Sequence, residues 1–199
     1  MFRWHDLLEV HILAGLSLSL LSLILLILVT FSTPFIKSIT FLTTPPPSSV
    51  SFGAFGYCTA NEGCTPSSLG YTYHPELISW LTHTSILFGV AALLMLIAYV
   101  TLLASLLRRI NRFGTLHVLF RTSAVLGSLM ATLAFAFQMM LWANARQRFD
   151  EQGVRAKYGA APWLAMVAAI AASLSVCVRG PQYSAPYMYR AHADVSYRL

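Results

Sequence analysis

The chain has 199 residues, of which 57% are hydrophobic and only 10% charged, against about 45–50% and about 25% in an ordinary soluble domain. A soluble fold of this size leaves too much of its chain facing water to hide that much apolar surface, which excludes a soluble globular enzyme, a disordered regulator and a disulfide-dense secreted mini-protein. The net charge of +6 does not point to nucleic acid, because the thirteen Lys and Arg residues form no continuous stripe and mostly flank apolar runs, where such residues set membrane topology.

A membrane-spanning helix needs about 20 mostly apolar residues to cross roughly 30 Å of hydrocarbon. The first such segment, Ile12–Phe31, carries no charge. It is longer than the roughly 7–15-residue core of a signal peptide and reads as an uncleaved span. Residues 34–81 then form a first outer loop, far longer than the roughly 2–8 residues of a simple helix connection, so it must have structure of its own. Pro45, Pro46 and Pro47 make a stiff extended stretch. Val50-Ser51-Phe52 alternates like a short strand. In Gly53-Ala54-Phe55-Gly56-Tyr57-Cys58 the glycines allow the backbone to bend or approach a neighbour, while Phe55 and Tyr57 give an apolar face. Asn61-Glu62-Gly63 supplies turn residues between Cys58 and Cys64. That spacing allows a disulfide, in keeping with an oxidising compartment; a zinc site would lack its remaining ligands. Thr65 to Tyr71, through Gly70, reads as a turn into another short extended piece. Tyr73 and Trp80 suit headgroup depth.

Three further spans follow. Thr84–Leu107 is uncharged, and Thr122–Trp142 has Gln138 as its one strongly polar side chain. Residues 143–161 form a second outer loop, Pro162–Val178 is a short alanine-rich span, and residues 179–199 are a tail. One basic residue, Lys37, lies between the first two spans, against four (Arg108, Arg109, Arg112 and Arg121) between the second and third. The positive-inside rule therefore places both termini in the cytoplasm. The expected fold is an all-α membrane protein, a bundle of four transmembrane helices with a small disulfide-pinned extracellular β-ribbon or sheet in the first outer loop.

Span three presents Ser123, Gly127 and Ala131 at four-residue spacing, and span four presents Ala161, Ala165, Ala169 and Ser173. Small residues so spaced let helices approach closely. The two faces are expected to pack on each other or on a partner, and homo-oligomerisation through them stays open. Gln138 can bond across helices. No carboxylate, Lys or Arg lies inside the four cores, which argues against a proton relay, transporter or voltage sensor. His74 and His83, at the outer side, read as ordinary polar interface residues or as groups that respond to external pH. Cys177 ends span four as a packing residue or a palmitoylation site. The loops hold no nucleophile–His–acid motif, no metalloprotease helix and no phosphate-cradling loop. No enzymatic activity, metal, cofactor or small-molecule substrate is expected; the partners expected are membrane lipids and another multi-span membrane protein.

Three blocks carry a resemblance: Ser32-Thr33-Pro34-Phe35-Ile36-Lys37-Ser38-Ile39; Phe52 to Cys58 followed by Cys64 and Leu69-Gly70-Tyr71; and Lys157-Tyr158-Gly159-Ala160-Ala161-Pro162-Trp163-Leu164. In this order the chain resembles claudin-like four-span proteins, and most closely the fungal PalI family, grouped with the cortical-patch (eisosome) proteins. The resemblance runs from about Ile12 to Val178. It implies a plasma-membrane adaptor of ambient alkaline-pH signalling that assists assembly or surface localisation of a seven-span pH sensor. The alternative it implies is a cortical membrane-domain organiser supporting wall and membrane integrity. Animal claudins carry a tryptophan in the loop motif, and Gly53 to Cys58 has none, so paracellular-barrier function is not implied. Many PalI proteins have a long hydrophilic tail, whereas residues 179–199 follow the fourth span here, so tail-mediated recruitment is not expected.

Overall fold

The computed structural model describes residues 4–45, 49–59, 63–65, 71, 83–107, 115–151 and 153–177, and among these it forms four helices and a five-stranded sheet. The helices are α1 (Trp4–Thr30), α2 (Ile86–Leu107), α3 (Thr115–Glu151) and α4 (Ala161–Cys177). The strands are β1 (Leu42–Thr43), β2 (Val50–Phe52), β3 (Tyr57–Thr59), β4 (Gly63–Cys64) and β5 (Lys157–Tyr158).

Three helices contain stretches long and apolar enough to cross a membrane: Leu13–Thr30, Ile86–Ala104 and Val118–Glu151. The fourth, α4, is apolar but only 17 residues long. Each helix packs on two neighbours, α1 on α2 and α4, and α3 on α2 and α4, which closes a ring. The packing inverts that of a water-soluble bundle. In α1 the buried positions include Ser19, Ser22, Leu23 and Leu26, while Leu20, Leu21, Ile24 and Ile27 are exposed. In α4 the buried residues are all small (Ala161, Ala165, Ala168, Ala169, Ala171, Ala172 and Ser175, with Pro162), and Trp163, Val167, Ile170 and Leu174 point outward. Lipid tails are as apolar as leucine, so large apolar side chains can face them while small ones let helix backbones come close. The hydroxyls follow the same logic. Ser19 Oγ donates to Leu16 O, Thr30 Oγ1 to Leu26 O, Thr101 Oγ1 to Ala98 O and Ser173 Oγ to Ala169 O, each within its own helix. Ser22 Oγ instead donates across to Ala168 O at 3.1 Å, tying α1 to α4. Groups so paired carry no unsatisfied polar cost in hydrocarbon.

The sheet is antiparallel throughout its pairings, in the order β4-β3-β2-β1-β5. Four strands come from the loop after α1; β5 comes from the connection between α3 and α4 and pairs with β1, Leu42 opposite Tyr158. Val50-Ser51-Phe52 is a strand as its alternation predicts, with Val50 and Phe52 buried and Ser51 half-buried between them. The expected sheet of the first loop is therefore present but extends into the second. A second difference is the length of α3. The expected third span ended at Trp142, whereas the helix continues to Glu151. Ala145 and Phe149 bury against the sheet, so the apolar stripe continues beyond the uncharged stretch. Helix α3 then ends on a Schellman motif: Gly153 N donates to Asp150 O, Val154 N donates to Phe149 O, and Gly153 takes φ +78°. These two bonds satisfy carbonyls that a helix end otherwise leaves open.

Candidate functional site

The three sequence blocks converge at the sheet end of the bundle. Helix α1 stops at Thr30, and the chain passes through Ser32, Thr33 and a cis Thr33–Pro34 bond. Thr33 N and Thr33 Oγ1 both donate to Ile39 O at 3.1 Å, closing a small loop. Against it lies the turn after β2. Ala54 N donates to Ser32 Oγ at 3.0 Å, Gly53 N donates to Gly56 O at 2.9 Å, and Tyr71 Oη donates to Gly53 O at 2.7 Å. Gly53 is packed so closely that a β-carbon there would lie 1.9 Å from Thr33 O. The third block bonds to the residues just after this loop. Gly159 N donates to Phe41 O and Ala161 N to Thr40 O, both at 3.0 Å. A β-carbon on Gly159 would lie 2.1 Å from Thr40 O.

Beneath the sheet is an aromatic cluster. Phe41 stacks on Trp142 with ring centroids 5.5 Å apart. Phe52 meets Trp142 and Phe149, each at 5.9 Å, and Tyr57 at 6.0 Å. Tyr57 in turn meets Tyr71 at 6.0 Å. The indole Nε1 of Trp142 donates to Gln138 Oε1 at 2.9 Å, and Gln138 Nε2 donates to Ser85 Oγ at 2.6 Å. Gln138 is 1% exposed, so this relay satisfies its amide where water cannot reach. It bonds α3 to the residue preceding α2, the cross-helix use expected of it. Burial pushes the Tyr71 phenol well above its ordinary value, so it stays a protonated donor.

Cys58 and Cys64 are bonded and sit opposite each other in register across β3 and β4. Thr65, just beyond, clamps the same strand: its N and Oγ1 donate to Tyr57 O, and Tyr57 N donates to its Oγ1. Gly56 is buried beside Thr65 Oγ1, and Phe55 and Tyr57 are half-buried against the core. Tyr71 is buried, whereas Gly70, Pro46, Pro47, Asn61, Glu62, Tyr73, His74, Trp80 and residues 178–199 lie outside the described residues. His83 and Cys177 are exposed. Among the described residues no three His, Cys, Asp or Glu side chains gather where a metal ion could be held.

The small-residue faces are consumed inside the bundle. Ser123, Gly127, Ala131, Ala161, Ala165 and Ala169 are all buried, and only Ser173 at the end of its row is exposed. Gly127 faces α2, where a β-carbon on it would meet Met95 Sδ at 3.0 Å and Leu94 Cβ at 3.4 Å. At that position α3 thus uses its smooth face on α2 rather than on α4, and these buried positions offer no free surface to a partner.

Two shallow cavities open at this end. One, of about 370 Å³, is lined by Lys37, Thr43, Thr44, Ser51, Thr59 and their neighbours on the sheet. The other, of about 670 Å³, lies at the end of α3 among Arg146, Asp150, Gly153, Arg155, Ala156 and Lys157. In the sequence Lys157 and Tyr158 belong to the third block without a strand assigned to them, and no role is assigned to this second cavity. A two-residue strand has no alternation to read, though Gly159 beside it was within the motif. Comparison with protein-family models finds no match, and comparison with curated proteins finds none either.

Proposed function

We propose that the protein is a non-enzymatic plasma-membrane adaptor of the fungal PalI type, with four spans, both termini in the cytoplasm and the sheet outside. In this role it assists the assembly or surface localisation of a seven-span sensor of ambient alkaline pH. The observation that supports this reading is the convergence of the three resemblance blocks. Residues far apart in sequence, Gly53–Ala54 and Gly159–Ala161, meet the one segment Ser32–Phe41 at the end of the bundle. A motif scattered through the chain thereby becomes one rigid extracellular platform, a suitable surface for binding another membrane protein's outer loops. The buried small-residue faces leave the sheet end, rather than the helix stripes, as the recognition surface.

Affinity capture of the tagged protein from a fungal membrane in mild detergent tests the reading. A seven-span receptor is expected among the co-purifying proteins. Its surface delivery should fall when Cys58→Ser releases β4 from β3. Normal receptor delivery and normal alkaline growth in cells lacking the protein would refute the adaptor role. Static cortical patches without an alkaline-growth defect would instead indicate a cortical membrane-domain organiser.

A further inference from the structure

The uncharged stretch of α3 is bracketed by two arginines, Arg121 and Arg146, 25 residues apart. At about 1.5 Å per residue they stand about 37 Å apart along the helix. The hydrocarbon core is roughly 30 Å thick, and roughly 40–45 Å with the headgroup layers. Both arginines therefore fall at headgroup depth, one in each leaflet. Arg146 is at the sheet end, and an independent marker agrees with its depth: Trp163, in the first turn of α4, is 63% exposed there, as an interfacial tryptophan should be.

Arg146 does not stand alone at that depth. The Schellman turn at Gly153 reverses the chain, so that Arg155 and Lys157 come back to line the same 670 Å³ cavity. Asp150 is the one carboxylate among its lining residues, which leaves the cavity a net charge of two positive. The guanidinium of Arg146 is held over the Tyr158 ring at 5.1 Å, a contact that fixes its position without neutralising it. Arg146, Arg155 and Lys157 are all exposed. At this helix end, which favours cations, the carbonyls of Phe149 and Asp150 are capped by hydrogen bonds from Val154 N and Gly153 N, so the positive charge of the cavity comes from its side chains.

We propose that this cavity binds the phosphate headgroup of an anionic phospholipid from the leaflet on the sheet side. The ligand needs a phosphate with net negative charge, at headgroup depth, with its acyl chains running down the exposed apolar sides of α3 and α4. Arg146 and Arg155 present planar forks suited to phosphate oxygens, and Lys157 adds a point charge. Removing two of the three basic side chains should weaken the lipid's binding roughly ten-fold or more.

The test uses the full chain in a neutral detergent micelle. Phosphatidic acid, phosphatidylserine and phosphatidylcholine are titrated in turn, and bound lipid is counted by native mass spectrometry. The comparison is the double variant Arg155→Gln/Lys157→Gln. Both side chains are exposed, and the backbone bonds of β5 are left in place; an unchanged melting temperature verifies the fold. Expected is retention of phosphatidic acid and phosphatidylserine over phosphatidylcholine by the wild type, lost roughly ten-fold in the variant. Equal binding of all three lipids, or anionic binding unchanged in the variant, would overturn the proposal. So would displacement of the lipid by an equal concentration of inorganic phosphate, since the site would then serve a soluble anion.

Discussion

Gly53→Ala is the smallest change that tests how the sheet is seated on the bundle. The added β-carbon would lie 1.9 Å from Thr33 O and 2.6 Å from Thr33 C, both backbone atoms that no rotamer change can move aside. Either the turn after β2 or the loop after α1 must shift. Overpacking of a rigid site costs about 1–3 kcal/mol. The shift also strains three hydrogen bonds that meet there, Ala54 N to Ser32 Oγ, Gly53 N to Gly56 O and Tyr71 Oη to Gly53 O, each worth about 1 kcal/mol. With one of them lost the total comes to about 3 kcal/mol, or a fall of roughly 6–12 °C in melting temperature for a chain of this size. The control is Gly89→Ala in α2, where a β-carbon meets nothing within 4 Å and alanine is the better helix former. Thermal unfolding of both variants in one detergent, followed by near-ultraviolet circular dichroism of the aromatic cluster, provides the comparison. Equal melting temperatures for the two variants would refute the close approach of Gly53 to Thr33.

Other consequences follow from single contacts. Gly153 holds φ +78° at the end of α3, so Gly153→Ala should cost about 1 kcal/mol by chemical denaturation. Trp142→Phe removes the donor to Gln138 Oε1 in a buried setting and should cost about 1–3 kcal/mol, with Phe41 losing its stacked partner's indole. The Tyr71 phenol has its ionisation raised by burial. Its contribution is therefore fully present below the unfolded value of about 10 and is lost as pH rises above it. The stability difference between wild type and Tyr71→Phe should narrow when unfolding is measured above about pH 10 instead of at pH 8.

What the sequence made legible is what depends on local pattern. Three apolar segments carry their own signal in length and absence of charge, and Val50-Ser51-Phe52 carries its strand in alternation. Gln138 stands out as a lone amide among apolar neighbours, and its cross-helix bond to Ser85 Oγ follows from the cost of leaving it unpaired. The parts that were not legible are set by distant partners. β5 exists because Leu42 and Thr43 have a free edge for Lys157 and Tyr158, not because two residues have strand character. The extension of α3 to Glu151 depends on Phe52 and the core receiving Ala145 and Phe149. The four-residue spacing of Gly127 announced a close contact but could not say with which helix; Met95 on α2 decided it.

The distribution of large buried side chains implies that the sheet end holds the bundle together. Within lipid, helices gain no hydrophobic free energy from touching one another, and α4 buries little beyond alanines. The sheet end lies outside the hydrocarbon, since Lys37, Arg155 and Lys157 belong to it and charges are costly in a bilayer core. There water supplies the driving force, and Phe52 and Phe149 bury large aromatic areas against each other. Phe52→Ala and Leu26→Ala separate the two environments, because both side chains are fully buried, one beneath the sheet and one in α1. Phe52→Ala should cost about 3–5 kcal/mol, the range for an aromatic truncation in a water-driven core. Leu26→Ala loses packing but no transfer from water, so its cost should fall below the about 2–5 kcal/mol of a soluble core. Reversible unfolding in mixed micelles reads both. A larger loss for Leu26→Ala than for Phe52→Ala would show that the helices hold the sheet rather than the reverse.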